Sequence, residues 1–176
     1  KLLVATPPLE DPNFDRTVVY VLEHHDEGAV GVVLNRPSGL PIPEQLDRWT
    51  PFLSTPAELF NGGPVELDAL IALARLDGPA EGAWSPVVGD LGSVDLAHDP
   101  VVVADRVRTL RVFRGYSGWG PFQLDAELTD GAWIVVPAER PDVFTARPDL
   151  LWRAVLRRQG GRLAWLADAP DDLSSN

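Results

Sequence analysis

The chain indicates its fold class most clearly between residues 109 and 131, where it reads TLRVFRGYSGWGPFQLDAELTDG. Residues 109–116 alternate between two sets of side chains, and this period of two predicts a β-strand. The pattern changes at Gly120. Pro121 suits the first turn of a helix, and Gly131 suits the left-handed residue that ends one. Residues 132–137 are again apolar, so a strand, a helix and a strand are predicted in succession.

The first third of the chain predicts strands. Residues 2–6 form a short apolar run that Pro7 and Pro8 end, and a polar loop follows at 10–15. Residues 17–22 are β-branched and aromatic, as in buried strands. The turn sequence Asp26-Glu27-Gly28 separates them from a second apolar run at 29–34, so we expect these two runs to pair as a hairpin.

The middle of the chain is ambiguous in one place. Residues 65–75 contain leucines that suit a helix, yet residues 69–76 could equally form a buried strand. Periodicity does not decide between the two for so short an apolar run. Residues 77–92 are rich in glycine and proline and are predicted to form a loop. A strand is predicted around residues 93–96.

Two short helices are predicted on either side of that region. One follows Pro43 and places Leu46 and Trp49 on one face. The other opens at Asp99, with Pro100 at its first position. Three valines follow Pro100 and weaken this second prediction, because β-branched side chains lose rotamer freedom in a helix.

The last predicted helix begins at Asp149 as its cap and ends before Gly160 and Gly161. Residues 163–166 then predict a final strand. Strands and helices do not alternate regularly, so the predicted class is α+β in a single compact domain. The apolar stripe of this helix is Leu151, Trp152, Val155 and Leu156.

Composition limits the classes of function. The chain has 176 residues, of which 45% are hydrophobic and 23% charged, as expected of one globular domain with a real core. Its net charge is −11 and Lys1 is its only lysine, so long-range attraction to nucleic acid or an anionic membrane is not expected. The chain has no cysteine, no signal-peptide pattern and no apolar run of the roughly 18–20 residues that cross a bilayer, and we expect a cytoplasmic protein.

No segment meets the requirements of a catalytic or metal site. The run Gly115-Tyr116-Ser117-Gly118-Trp119 invites comparison with a nucleophile elbow, but Trp119 stands where the sharp turn needs a small residue. His24 and His25 are neighbours on a predicted strand and point to opposite faces, so they do not chelate one metal together. We therefore predict no catalytic residue, no metal and no cofactor.

Two features favour binding, each with a plainer alternative. Gln123 and Glu127 lie one helical turn apart beside Trp119, where they could line a pocket for a polar ligand or form a hydrogen-bonded helix surface. The turn Asn61-Gly62-Gly63-Pro64 could offer backbone N–H groups to an anion or be a tight structural turn. The basic cluster near the last helix, expected to complement the helix dipole, is Arg153, Arg157, Arg158 and Arg162.

Several segments, taken in order, resemble the AlgH/YqgE family over nearly the whole chain. They are residues 2–7, 11–20, 23–24, 31–37, 60–65, 115–128 and 131–133, with Leu151-Trp152 in the last helix. The resemblance implies a strongly bent mixed or antiparallel sheet that closes into a partial barrel flanked by helices, and it favours a strand at 69–76. It also implies no established enzymatic activity. A role in transcriptional regulation is attached to the family name, without a recognisable DNA-binding module.

The chain departs from the family pattern near the predicted helix. Phe122 stands where glycine is commoner in the family, and Asp125 stands where glutamate is commoner. Ser117 often corresponds to alanine in relatives, which further weakens a nucleophile interpretation. Phe122 could narrow or cover a pocket at the start of this helix.

The sequence thus predicts a non-enzymatic regulatory or binding protein, with an unidentified protein or small molecule as partner. The alternatives are an enzyme of unknown class, with Glu127 or Asp11 as base, and a regulator that binds DNA directly, which the charge disfavours. The predicted binding surface consists of Asn35, Arg36, Asn61, Gly62, Gly63, Trp119, Gln123 and Glu127.

Overall fold

Nine strands join in one curled sheet in the computed structural model, which describes residues 1–7, 9, 11–80 and 82–168. The strands are β1 (Leu2–Ala5), β2 (Val18–His25), β3 (Gly28–Val33), β4 (Phe60–Asn61), β5 (Val65–Leu76), β6 (Trp84–Val88), β7 (Leu91–Val94), β8 (Val107–Trp119) and β9 (Trp133–Val136). Their order is β6-β7-β5-β8-β3-β2-β1-β9, with antiparallel neighbours throughout. β4 lies off this path and pairs with β8 in parallel.

Helices cover both faces of the curled sheet. They are α1 (Gln123–Thr129), α2 (Pro148–Gln159) and α3 (Gly161–Leu166), with 3-10 helices at Glu44–Phe52 and Pro100–Val102. In β1, Leu2 and Val4 pack in the cluster that contains Trp152 of α2, whereas the intervening Leu3 packs with Leu124 of α1. Successive strand residues point to opposite faces, so a strand that is apolar on both sides is buried on both sides.

The α+β class and the partial barrel are confirmed, as are the hairpin of β2 and β3 and the β8–α1–β9 succession. The ambiguous residues 65–76 form a strand, β5, which pairs with β8 and β7. The helix predicted after Pro43 is a 3-10 helix, and Trp49 is its buried residue. α2 buries the predicted apolar stripe.

Three of the predicted elements are corrected. Residues 77–92 are not one loop, because they contain β6 and the start of β7, and the strand predicted at 93–96 lies instead at Leu91–Val94. β6 is an edge strand whose residues are mostly exposed, so it lacks the apolar alternation by which strands are recognised. Residues 163–166 belong to α3 and not to a strand, because Gly160 and Gly161 take positive φ values of 71° and 53° and turn the chain into a second helix.

One of two predicted helix starts, with Asp99 as cap and Pro100 as first residue, is confirmed, and the other is corrected. The carboxylate of Asp99 does accept the Val101 N–H at 3.0 Å, but the helix that follows is a 3-10 helix of three residues. Asp149 is not the cap of α2: the helix begins at Pro148, and Asp149 lies in its first turn, where it pairs with Arg147 at 3.0 Å. Proline in the first turn costs the helix no hydrogen bond, which explains the earlier start.

Phe122 precedes α1 in a left-handed backbone conformation, with φ 59°, and its side chain is 65% exposed. This conformation costs a residue with a Cβ roughly 1–2 kcal/mol, and an exposed ring recovers little of that by packing. We expect Phe122→Gly to raise the free energy of unfolding by about 0.5–1 kcal/mol in urea titrations. Phe122→Ala keeps the strained backbone and is the control; equal stability of the two variants would contradict this account.

Candidate functional site

Three segments bring Arg36, Asn61 and Arg114 into one row across the sheet. The Asn61 N–H donates at 2.7 Å to the carbonyl of Arg36, which lies three residues after the end of β3. On its other side, Asn61 of β4 is the register partner of Arg114 of β8. Side chains of register partners lie on the same face of a sheet, so the Asn61 amide and the Arg114 guanidinium are neighbours.

Glycines let the segment after β4 lie directly on β8. A Cβ at Gly62 would be 2.4 Å from the Gly115 carbonyl oxygen, and one at Gly63 would be 2.2 Å from that of Tyr116. The Gly62 carbonyl accepts the Val33 N–H at 2.8 Å and the buried Ser117 hydroxyl at 3.0 Å. The Gly62 N–H donates to the Arg114 carbonyl at 2.9 Å, so this turn uses its backbone groups within the fold and also positions Arg114.

A surface pocket of about 380 Å³, here called the Arg114 pocket, opens over this row. Its lining combines two arginines and two asparagines with four apolar side chains and a glycine. None of the described residues that line it is acidic. The lining residues are Pro12, Asn13, Val33, Arg36, Asn61, Gly63, Pro64, Leu67 and Arg114.

The two arginines of the Arg114 pocket carry charges that no described carboxylate neutralises. Arg114 is half-buried, and its guanidinium has no hydrogen bond or ion pair with any residue that the structure describes. Arg36 is also half-buried, and it donates to the neutral carbonyl of Asp15. A cation held partly out of water without a counter-charge attracts an anion more strongly than a fully solvated one does.

A second arginine-lined pocket, of about 500 Å³, differs in how its arginines are paired. It is lined by Arg75, Arg108 and Arg140. Asp90 pairs with Arg75 and with Arg140, the latter at 2.6 Å. Asp77 pairs with Arg108, and this hydrogen bond holds the pKa of the Asp77 carboxyl below its usual value. Each of these three arginines is therefore paired with a carboxylate of the chain, unlike the two in the Arg114 pocket.

Asn35 has its amide engaged in the fold. Its Oδ1 accepts the Val18 N–H and its Nδ2 donates to the Arg16 carbonyl, each at 2.9 Å, so the side chain extends the pairing at the start of β2. A neighbouring pocket of about 330 Å³ contains Asn35 and shares Arg36 with the Arg114 pocket. Its charge is mixed, since Asp15 and Asp149 line it together with the arginines.

Glu127 anchors α1 to the sheet. Its Oε2 accepts the indole N–H groups of Trp119 and Trp133, each at 2.8 Å, and its Oε1 accepts the Gln123 amide at 2.9 Å. The Gln123 Oε1 in turn accepts the Gly120 N–H at 3.0 Å. Trp119 is 6% exposed and stacks near Phe14, with a distance of 6.3 Å between the ring centroids. These polar groups are satisfied by one another.

The structure therefore divides the predicted binding surface in two. Arg36, Asn61 and Gly63 line one pocket, next to the buried Gly62, and Asn35 lies in the neighbouring pocket. Trp119, Gln123 and Glu127 form the network on α1 and are absent from the described lining of that pocket. Sequence reasoning missed Arg114, Asn13 and Leu67. The available signal for Arg114 was a charged residue that alternates with Leu110 and Val112 on one face of the predicted strand, directly before the glycine-rich run.

The other chemical groups weighed from the sequence lie apart from this pocket. His24 is 3.4 Å from Asp125 of α1, and Ser117 is fully buried. The described residues include no group of three or more His, Cys, Asp or Glu side chains placed to hold a metal ion. Within the same residues, no helix has the length and apolar character needed to cross a membrane.

Comparison with known proteins identifies the family. The model of the AlgH-like family matches residues 2–164. The chain belongs to the AlgH-like family. A UPF0301 protein of Streptomyces coelicolor is 49% identical over 181 residues, which cover 100% of this chain and 94% of that protein. A UPF0301 protein of Thermobifida fusca is 50% identical over 185 residues, covering 99% and 93% of the two chains.

Solved structures of similar proteins share the fold of this AlgH-like chain. The crystal structure of protein DIP2367 from Corynebacterium diphtheriae matches with a TM-score of 0.88 and 29% identity, over 94% of this chain and 89% of that one. The solution structure of the AlgH protein from Pseudomonas aeruginosa matches with a TM-score of 0.71 and 33% identity, over 97% and 93%. The resemblance identified from the sequence motifs is confirmed.

Proposed function

We propose that this AlgH-like protein is a non-enzymatic binding protein whose ligand is a small anion held in the Arg114 pocket. One observation carries the proposal: the half-buried Arg114 guanidinium has no partner among the described residues, beside an Arg36 that is bonded only to a neutral carbonyl. The chain as a whole has a net charge of −11. Two such arginines in one pocket, with no carboxylate among its described lining residues, therefore make this pocket a local positive site that favours an anion.

The energetics favour an anion with oxygen acceptors. A hydrogen bond between a charged donor and a charged acceptor contributes about 1.5–3 kcal/mol, roughly twice a neutral one. The planar guanidinium presents several N–H donors in a fork that matches a carboxylate or phosphate. The amides of Asn13 and Asn61 line the same pocket and can donate to further ligand oxygens.

The enzymatic alternative receives no support from the two carboxylates considered as bases. Both oxygens of Glu127 accept hydrogen bonds from N–H donors of the α1 network. Asp11 organises the turn that follows it: its Oδ1 accepts the Asn13 N–H at 2.8 Å, and its carbonyl accepts those of Phe14 and Asp15, each at 2.9 Å. Each carboxylate thus has a structural task.

Direct DNA binding is also disfavoured by the contacts of the arginines on α2. Arg157 pairs with Asp168 and Arg158 with Asp142, each at 2.7 Å, and Arg153 donates to the Ala167 carbonyl. A phosphate backbone would have to displace these internal partners. The net charge of the chain opposes such an approach at long range.

The proposal is tested by mapping where small anions bind. Inorganic phosphate and butyrate are titrated into the isotopically labelled chain while amide and arginine side-chain resonances are followed by NMR at low ionic strength. We expect saturable shifts at Asn61, Gly62, Gly63 and Arg114, and at the Nε–H of Arg36. Saturable shifts confined to another surface, or no saturable shift with either anion, would overturn the proposal.

A further inference from the structure

Resting on the proposed function, we infer that the ligand is an amphiphilic anion: a carboxylate or phosphate head bound by Arg36 and Arg114, and a short aliphatic body lying against Leu67. The residues that line the Arg114 pocket form a polar set and an apolar set. Its polar side chains are two arginines and two asparagines, while Pro12, Val33, Pro64 and Leu67 supply apolar surface.

Leu67 is brought to the pocket by a break in strand pairing. Val65 of β5 pairs with Tyr116, and the next paired residue, Leu70, is opposite Arg114. Residues 66–69 therefore bulge out opposite the single residue Gly115. Such bulges redirect side chains and are frequent beside functional sites. Here the bulge places the Leu67 side chain over Gly115, with its Cδ2 only 3.1 Å from the position that a Cβ would occupy there.

Leu67 offers apolar surface that the body of a ligand can cover. It is 47% exposed and lines the same pocket as the two arginines, so an apolar group that covers it while a head group meets the arginines gains affinity from the buried area. Pro12 and Pro64 are rigid neighbours, so a ligand that covers them orders few side chains on binding. A pocket of about 380 Å³ accommodates a head group and a chain of about four to eight carbons.

An inorganic anion or a purely polar phosphate ester makes no use of this apolar half. A purely polar ligand and an amphiphilic ligand therefore differ in how the binding affinity depends on the length of the ligand's aliphatic chain. Each methylene transferred from water to an apolar surface strengthens binding by up to roughly fourfold. A polar anion that uses only the arginines gains nothing from added methylenes.

The test is a calorimetric titration of the native chain with acetate, butyrate, hexanoate and octanoate, with the matching alkyl phosphates, and with inorganic phosphate, all below micelle concentration. We expect the dissociation constant to fall about two- to fourfold per methylene up to hexanoate or octanoate. The two head-group series distinguish a carboxylate ligand from a phosphate ligand by which of them binds more tightly.

Variants then locate the apolar contact. Leu67→Asn is expected to flatten the dependence of affinity on chain length, so that the ratio of hexanoate affinity to acetate affinity falls toward one. Leu40→Asn is the matched control, because Leu40 is 45% exposed and outside the lining of the Arg114 pocket, and it should retain the full dependence. Amide NMR spectra confirm that both variants are folded.

The outcomes separate this inference from the proposed function. Binding of acetate and inorganic phosphate in this pocket, without any gain from longer chains, overturns the inference and leaves the proposed function standing. A chain-length dependence that survives in Leu67→Asn overturns the assignment of the apolar contact. Failure of every anion to bind overturns both proposals.

Discussion

Replacing Arg111 by methionine is expected to lower the free energy of unfolding by about 2–4 kcal/mol. Arg111 is 1% exposed, and its guanidinium donates to the backbone carbonyls of Thr55 at 2.7 Å, Thr145 at 2.9 Å and Val143 at 3.2 Å. It also lies over the Phe60 ring, 4.2 Å from its centroid. One side chain of β8 thus ties together two loops that are far apart in the sequence.

The expected loss of unfolding free energy in Arg111→Met reflects two opposing effects. Each buried carbonyl that loses its donor costs about 1–3 kcal/mol. Methionine, however, relieves the cost of burying a cation, and this relief offsets part of the loss. Burial lowers the pKa of the Arg111 guanidinium to about 10, so the group remains charged at neutral pH. Because three carbonyls lose the donors of one guanidinium, we expect destabilisation to prevail.

Urea titrations followed by far-UV circular dichroism measure this change. Arg48→Met is the control, because Arg48 is 69% exposed and forms a surface ion pair with Asp99, a class of interaction that contributes little to stability. Equal stability of the two variants would contradict the structural role assigned to Arg111. Arg111→Lys retains the charge without the forked donors and is expected to fall between the native chain and Arg111→Met.

Glu127→Ala is the second substitution with a large expected effect, a loss of about 2–4 kcal/mol of unfolding free energy. It removes the acceptor shared by the indole N–H groups of Trp119 and Trp133, which are 6% and 4% exposed. It also releases Gln123, so α1 loses its polar attachment to the sheet. Chemical denaturation followed by tryptophan fluorescence reports on both the stability and the indole surroundings.

The matched control for Glu127 is Asp125→Ala on the same helix, since the Asp125 side chain is 54% exposed and lies near His24. We expect the control to change stability far less than Glu127→Ala. Anion binding in the Arg114 pocket should persist in Glu127→Ala under conditions where that variant is folded. A variant that kept native stability but lost anion binding would instead place the binding site on α1.

Local signals explain which elements could be predicted from the sequence. α1 lies between Pro121 and Gly131, and the β2–β3 hairpin is marked by a turn sequence between apolar runs. β6 has no such signal, because its residues are mostly exposed at the sheet edge. Residues 163–166 of α3 predict a strand wrongly, because a four-residue apolar run fits either element and the positive φ of Gly160 and Gly161, which turns the chain into a helix, has no apolar pattern.

The candidate site was predictable only in part, for a related reason. Arg36, Asn61 and Gly63 occur in family-like motifs and lie together in the structure. Arg114 joins them through parallel pairing of β4 with β8, and a pairing between such distant segments has no local sequence signature. Asn35 and Glu127 have side chains suited to ligand binding, but both are hydrogen-bonded to groups that are distant in the sequence, and such partners cannot be identified from local sequence.

Anion affinity in Arg114→Gln tests the central claim most directly. The measurement is calorimetric titration of inorganic phosphate and hexanoate into the native chain, Arg114→Gln and Arg108→Gln at low ionic strength. Arg108→Gln is the control, because it changes the net charge equally but removes an arginine that is already paired with Asp77. Losing a charge-assisted hydrogen bond of about 1.5–3 kcal/mol predicts at least roughly tenfold weaker binding of both anions by Arg114→Gln. Binding by Arg108→Gln should stay within about twofold of the native chain. Native affinity in Arg114→Gln would contradict the account.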